Sequence, residues 1–332
     1  MKRMALILML AACGGGSEFS TEAPDAGPRG TAEGGTVEGG TANAPNAGDG
    51  APDVTPARAC PTFADKVSDG TLESDAMPEA SGIVASRKNK GVLWVHNDSA
   101  NPAELFAITA TGKTLGTYTI AGATNVDWED ITIGPGSAAG EWDIYVGDIG
   151  DNDKKRTQVQ IYRVAEPMVD VNQAPVKATL PSATLPLLYP DGPHNAESLV
   201  FDPRSKSLYI VTKSADGVSV VFEKSAPHEA GAVTSLKEKA RLNFSEGALL
   251  TVIPTTTAAD ISPDGSEIII KTYTTQFLWR RGDNQTVEEA LGGTPCPIPV
   301  GPGEGIGFSA DGNAYYTVSE GLHTPLYHFD RK

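Results

Sequence analysis

From about residue 60 onward, short runs of β-branched and aromatic residues are separated by Asp-Gly, Pro-Asp-Gly and Asn-rich turns, with hardly a trace of a helical 3.6-residue period. That pattern predicts an all-β domain over residues 60–332. Three stretches superpose almost without gaps: Ser198 to Thr212, Asp260 to Thr272 and Gly305 to Ser319. Each reads as a strand, a tight turn and a second strand. Gly82 to His96 aligns with the first of them, and Asp130 to Asp148 is a further copy with a longer turn. A third strand is predicted after every hairpin, at Glu104–Ile108, Val159–Arg163, Val218–Phe222, Gln276–Trp279 and Leu326–Phe329.

Sheets of this kind repeating at intervals of roughly 45 to 70 residues predict a β-propeller of four-stranded blades. The last copy runs out at Lys332 without a fourth strand, so the segment from Pro61 to Leu72 is expected to close the ring from the N-terminal side. The copies give five blades, or six if a divergent blade lies in Val169 to Tyr189 or Val233 to Ile253. A β-sandwich, the other all-β architecture, does not explain hairpins that repeat in register.

The first 58 residues follow different rules. Lys2 and Arg3 precede an apolar run, Met4 to Leu10, then Ala11, Ala12 and Cys13. Residues 1–12 therefore read as a signal peptide. The run from Leu10 to Cys13 resembles the lipobox of bacterial lipoproteins, which implies cleavage before Cys13 and lipid on that residue. The alternative is an ordinary secretory signal with a chance cysteine. Gly14 in place of Asp is what the resemblance associates with export to an outer membrane, where the cell has one. From Cys13 to residue 58 the chain is mostly Gly, Ala, Pro, Thr, Glu and Asp, a composition that cannot bury enough surface to offset chain entropy. As a flexible tether of about 45 residues it would reach roughly 35 to 40 Å. The expected product is an exported protein, lipid-anchored to the cell envelope.

With Cys13 carrying lipid, Cys60 and Cys296 remain, and in an oxidising compartment they are expected to form a disulfide; two separate buried thiols are the alternative. The formal charge is −16, which argues against nucleic acid as a partner. No apolar stretch approaches the roughly 20 residues of a membrane-spanning helix. The sequence contains no CxxC, HExxH or GxSxG motif.

Candidate chemistry gathers on one face. In an antiparallel hairpin the start of the first strand lies beside the end of the second, so both share one side of the disc. That side collects Asp127-Trp128-Glu129-Asp130, His194 to Glu197 and Glu304 with His96 to Asp98, Asp148 to Asp153, Lys213 and Glu320. Glu129, Glu197 and Glu304 fall at one register, two residues before the first buried aliphatic of their strands. With Asp130 they form the candidate set for a divalent cation, most naturally Ca²⁺, which takes about 6 to 8 oxygen ligands. The competing reading is that these carboxylates cap backbone N–H groups of neighbouring blades. Asp98, Asp127, Trp128, Asp148, Asp151, Asn152, Arg156, Lys213 and Glu320 are candidates for ligand binding. Asp148 to Asp153 does not have EF-hand spacing and reads equally as a turn held by Asx bonds. Trp128 reads better as a wedge between blades. His96 and His194, with Glu129 and Glu197, are the candidates for proton transfer.

The phrases at His96–Ser99, Asp127–Ile131, Tyr145–Asn152 and His194–Ser198 resemble those of a group of bacterial exported β-propeller lipoproteins. More distantly the repeats are similar to phytase-like and calcium-dependent lactonase propellers, whose calcium and substrate sites lie at the channel mouth. The resemblance implies a fold and a location. It carries over no catalytic residue, and the absence of a basic phosphate-binding cluster speaks against phytase activity. Two functions are therefore expected to compete: an anchored propeller binding a small ligand or an envelope protein on an acidic, Ca²⁺-binding face, or a Ca²⁺-dependent hydrolase of an ester, lactone or phosphoester.

Overall fold

The computed structural model describes residues 59–244 and 255–332. The expectations for the signal peptide, for Cys13 and for the tether up to residue 58 lie outside the described residues, as does the end of the segment considered for a sixth blade.

The first strand, β1 (Val67–Thr71), waits for the end of the chain to find its partner. Blade one consists of β2 (Ala80–Ala85), β3 (Val92–Asn97), β4 (Glu104–Thr109) and β5 (Thr114–Ala121). Blade two follows with β6 (Trp128–Pro135), β7 (Trp142–Asp148), β8 (Val159–Ala165) and β9 (Val176–Leu188). Blade three contains β10 (Ala196–Phe201), β11 (Leu208–Thr212), β12 (Val218–Lys224) and the outer β14 (Lys237–Asn243), while the short β13 (Thr234–Ser235) before β14 pairs in parallel with β9 of blade two. In blade four β15 (Thr256–Ile261), β16 (Glu267–Thr272) and β17 (Gln276–Arg280) precede a helical turn, α1 (Val287–Leu291), and the outer β18 (Cys296–Pro297). Blade five has β19 (Gly305–Phe308), β20 (Ala314–Val318) and β21 (Pro325–Asp330).

β1 completes blade five by pairing antiparallel with β21, Val67 opposite His328 and Thr71 opposite Pro325. The predicted N-terminal closure is thus present. The innermost strands β2, β6, β10, β15 and β19 adjoin one another in turn, and β19 returns to β2. The fold is a β-propeller of five blades. Val169 to Tyr189 holds no sixth blade: it supplies β9, which pairs with β8 and also, in parallel, with β5 of blade one. Blades one and two therefore share one continuous sheet.

Packing explains why the inner strands read as unbroken apolar runs. Every residue of β2, β3, β10, β11, β15 and β16 is buried, because both faces of each sheet meet a neighbouring blade. The core divides into five apolar clusters, one at each interface. Trp94 and Trp128 are centred between blades one and two, Leu199 and Phe222 between two and three, and Ile270 and Trp279 between three and four. Ile269 and Phe308 mark the fourth seam, and Val95 and Phe106 the fifth. The tight hairpins of blades four and five share one chemistry: Gly265 and Gly312 adopt φ of +72° and +71°, while Asp264 and Asp311 accept from the backbone N–H two residues on.

One irregularity positions the site. In blades one to four the pairing of the first two strands slips at the same place, leaving Ser81, Glu129, Glu197 and Thr257 unpaired as β-bulges. Glu304 occupies the matching position just ahead of β19. A bulge re-aims its side chain, and here the device repeats round the ring. At the outer edge Cys60 and Cys296 form a disulfide with Cα atoms 5.5 Å apart, joining the start of the domain to β18.

Candidate functional site

The axis below the bulged ring is occupied by hydrogen-bonded carboxylates. Asp130 Oδ1 accepts from the Ile131 N–H at 2.8 Å, and Oδ2 accepts from Leu199 N–H at 2.9 Å and Ala259 N–H at 3.3 Å. Asp260 accepts in the same way from Ile261 and Phe308. Burial holds the Asp130 carboxyl well above the usual range in spite of those donors, and pushes Asp260 up to about 6 against the pull of Arg87. The structure thus separates Asp130 from the candidate ligand set: both its oxygens are taken by backbone donors, Oδ2 stitching blade two to blades three and four.

Above it, three carboxylates converge. One oxygen each of Asp98, Asp127 and Glu129 lies within 4.8 Å of the others. Asp98 follows β3, where its N–H donates to Glu79 O at 2.8 Å and its carbonyl accepts from Asn125 Nδ2 at 2.7 Å. Asp127 precedes β6 and is pinned by its own N–H on Asp148 Oδ1 at 3.1 Å. Glu129 is the bulge residue. Burial first, then repulsion from Asp127, pushes Asp98 up to about 6; burial first, then repulsion from Glu197, Asp98 and Asp127, holds Glu129 well above the ordinary glutamate range; burial also raises Asp127, although Arg156 opposes it. Gly150 closes one side. A Cβ there would lie 2.1 Å from Glu129 Oε1 and 2.4 Å from Asp127 Oδ2, so only glycine lets the backbone approach these carboxylates so closely.

Beside this cluster runs a second network. Lys213 Nζ donates to Glu197 Oε1 at 2.9 Å and to Tyr273 OH at 3.1 Å, and Tyr273 OH donates to Glu304 Oε1 at 2.6 Å. Burial pushes the Glu197 carboxyl up to about 7 even though Lys213 pulls it down. Glu320 is raised by burial and by Glu304 and Asp98. Glu129, Glu197 and Glu304 therefore share a ring position, with Glu197 meeting both Lys213 and Glu129, and Glu304 meeting Tyr273.

Other candidates serve as scaffolding. Asp148 is buried, accepting from Arg156 Nη1 at 2.8 Å and Gln160 Nε2 at 2.9 Å. Asp151 accepts from the N–H groups of Lys155 and Arg156, an Asx-type turn, and Asn152 accepts from Asn195 Nδ2. Arg156 also donates to Gly150 O at 2.8 Å, which fixes the loop that brings Gly150 to the carboxylates. Trp128 is fully buried in the seam between blades one and two, with its indole N–H on Thr124 O. His96 is fully buried, edge-on to Trp128, with Nδ1 donating to Asn97 O and Nε2 without a partner; burial pushes its pKa down to about 4. His194 pairs with Asp191 at 2.8 Å and packs on Tyr189 and Phe222. Neither histidine is held against the carboxylate cluster.

Two residues of this face escaped the sequence reading. Tyr273 follows β16 just as Lys213 follows β11, so extending the repeat alignment by one residue in blade four would have found it. Lys271 is fully buried in a strand otherwise rich in isoleucine, with Nζ donating to Thr272 O at 3.0 Å; burial pushes its pKa down to about 8 while Glu304 opposes the shift. A lysine inside an apolar inner strand was the available signal. No protein-family model matches the chain, and no curated protein matches it.

Proposed function

We propose that this chain is a lipid-anchored, cell-envelope β-propeller that binds a ligand or protein partner on its acidic face through a divalent cation, most naturally Ca²⁺. The observation that carries the reading is the convergence of Asp98, Asp127 and Glu129. Three partly or fully buried carboxylates held this close repel one another, and a hard cation with oxygen-only donors removes that repulsion. The donor set is all oxygen, and Gly150 leaves the room that a side chain would fill. Three protein ligands would leave about half of the 6 to 8 positions Ca²⁺ prefers for water or for donor atoms of the bound partner. Calcium titration of chelator-treated protein by calorimetry tests this. One site, lost in Asp127→Asn, is expected; absence of binding by the wild-type chain would refute the cation.

A second reading is a cation-dependent hydrolase of an ester, lactone or phosphoester. It is favoured by one observation: the Glu197 carboxyl, next to the cluster, is held at about 7, where it exchanges protons at neutral pH. In that case the cation would polarise the substrate and Glu197 or Glu129 would move the proton. A panel of aryl esters, lactones and phosphoesters, assayed with Ca²⁺ and with chelator, separates the two. Turnover abolished in Glu197→Gln with calcium binding retained supports hydrolysis.

A further inference from the structure

At the opposite end of the blades from the acidic mouth, a cavity of about 430 Å³ opens between blades two and three. That volume lies within the range of about 300 to 1,000 Å³ typical of small-ligand sites. Three aromatic rings contribute to its wall, with Tyr145 and Phe201 nearly buried, beside Pro135, Pro181 and Pro227. Tyr145 and Phe201 stack with ring centroids 5.5 Å apart and planes 22° apart, and His228 stands edge-on to both at 5.8 and 6.1 Å. His228 Nε2 donates to Lys206 O at 2.9 Å, which fixes the tautomer and the ring plane.

The charged groups are few and arranged. Arg163 Nη1 donates to His228 O at 3.0 Å and its Nε lies 3.8 Å from Asp143 Oδ2. The guanidinium has five N–H groups, so these contacts orient it and leave donors for a ligand. Lys206, at φ +61° in the turn between β10 and β11, is exposed at the rim. Two cations thus face one carboxylate, a net positive lining on a chain with a formal charge of −16.

We propose that this cavity is a second binding site, separate from the acidic face, for a small organic anion with a flat apolar body, such as an aromatic carboxylate or an aryl phosphate. The ring of the ligand packs against Tyr145 and Phe201, and its anionic group meets Arg163 and Lys206. A guanidinium already oriented by a carbonyl and a carboxylate offers its remaining N–H groups to a planar anion with little further loss of entropy.

The test uses the full chain in detergent with benzoate as the probe. Calorimetry gives affinity, and the imidazole C–H resonances of His228 report occupancy of this cavity alone. Benzoate is expected to bind saturably and shift those resonances, with inorganic phosphate and benzyl alcohol each at least about tenfold weaker, since each lacks one half of the match. Arg163→Gln is expected to weaken benzoate by about tenfold or more, and the surface variant Lys206→Glu serves the same purpose if the first fails to fold. No saturable shift at His228, unchanged affinity in Lys206→Glu, or benzyl alcohol binding as tightly as benzoate would overturn the proposal. Phosphate binding as tightly as benzoate would overturn the flat apolar half of it.

Discussion

Glu129 and Glu197 stand at the same bulged position of adjacent inner strands, yet Glu197 lies 2.9 Å from the Lys213 ammonium while Glu129 faces Asp98 and Asp127. One backbone device, repeated around the ring, therefore presents one glutamate beside an ammonium and one surrounded by like charge, Glu197 included. The difference arises outside the strands, from Lys213 after β11 and from Asp98 and Asp127 in the loops beside β6. It divides the acidic face into a paired half and a half suited to a cation.

The stabilisation by calcium is expected to depend on pH. Carboxyl groups unfold to pKa values of about 3.9 and 4.3, whereas Asp98 is held at about 6 and Glu129 well above the ordinary range. Between those values the folded chain binds more protons than the unfolded chain, so these groups favour folding at low pH and that contribution is lost as pH rises. Calcium competes with the same protons. The difference in melting temperature between calcium and chelator is expected to be near zero below about pH 5 and to grow through about pH 7. A difference constant across that interval, or absent at pH 8, would count against cation binding by these carboxylates.

Lys213→Met is expected to expose the dependence of Glu197 on its partner. At pH 8 the substitution removes the partner of a nearly buried carboxyl, which then takes up a proton; since the paired carboxyl is held at about 7, that protonation limits the cost to about 1.4 kcal/mol. At pH 5 Glu197 is protonated with or without Lys213, since its carboxyl is held at about 7 even when paired. Denaturant titrations should therefore show that loss at pH 8, a smaller one at pH 5, and recovery at pH 8 in Lys213→Met combined with Glu197→Gln. Equal losses at both pH values would mean that Lys213 acts through packing alone.

The hairpins were legible in the sequence because each is local: a turn, Asp-Gly in blades four and five, and its two apolar strands lie within about fifteen to twenty residues. The ring position of Glu129, Glu197 and Glu304 was legible too, since each precedes its first buried aliphatic by two. What distinguishes Glu129 from Asp130 was not. These neighbours turn to different surroundings, and only the N–H groups of Leu199 and Ala259, from two other blades, reveal where Asp130 points. His194 is likewise close to Glu197 in sequence but packs on Phe222. The parallel pairing of β5 with β9 joins strands about sixty residues apart with no local signal to mark it.

Gly150→Ala tests the geometry of the cluster without removing a ligand. The added methyl would fall within 2.4 Å of both Glu129 Oε1 and Asp127 Oδ2. Both side chains would have to withdraw, and calcium affinity is expected to drop by tenfold or more, about 1.4 kcal/mol. Calorimetry on the variant checks this; unchanged affinity would place the cation elsewhere.

Cys13→Ser is expected to release the protein from membranes, because the substituted residue cannot accept lipid. Fractionation and labelling with a lipid precursor measure it, and persistent lipid labelling would overturn the anchoring assignment.

The disulfide is expected to guard the seam between blades four and five. Cys60 is bridged to Cys296 on β18, the outer strand of blade four, while Phe63 packs edge-on against Tyr315 of blade five. A few residues further on, β1 completes blade five. The segment from Cys60 to Thr71 therefore spans both blades, and its outer end is held by one covalent link 236 residues away in sequence. Cutting that link restores the entropy of a long loop to the unfolded chain, a change of about 3 to 5 kcal/mol. It also leaves the outer edge of blade five held by backbone bonds, those of Phe63 and Ala64 to the last residues of the chain and the pairing of β1 with β21. Reduction is thus expected to lower the melting temperature by several degrees. Hydrogen exchange in β1 and β21 should rise more than in β6 and β7, which lie in blade two and do not depend on the closure. A uniform rise across all blades would show that the bond stabilises the fold only globally, and an unchanged melting temperature would remove the disulfide from the account of stability.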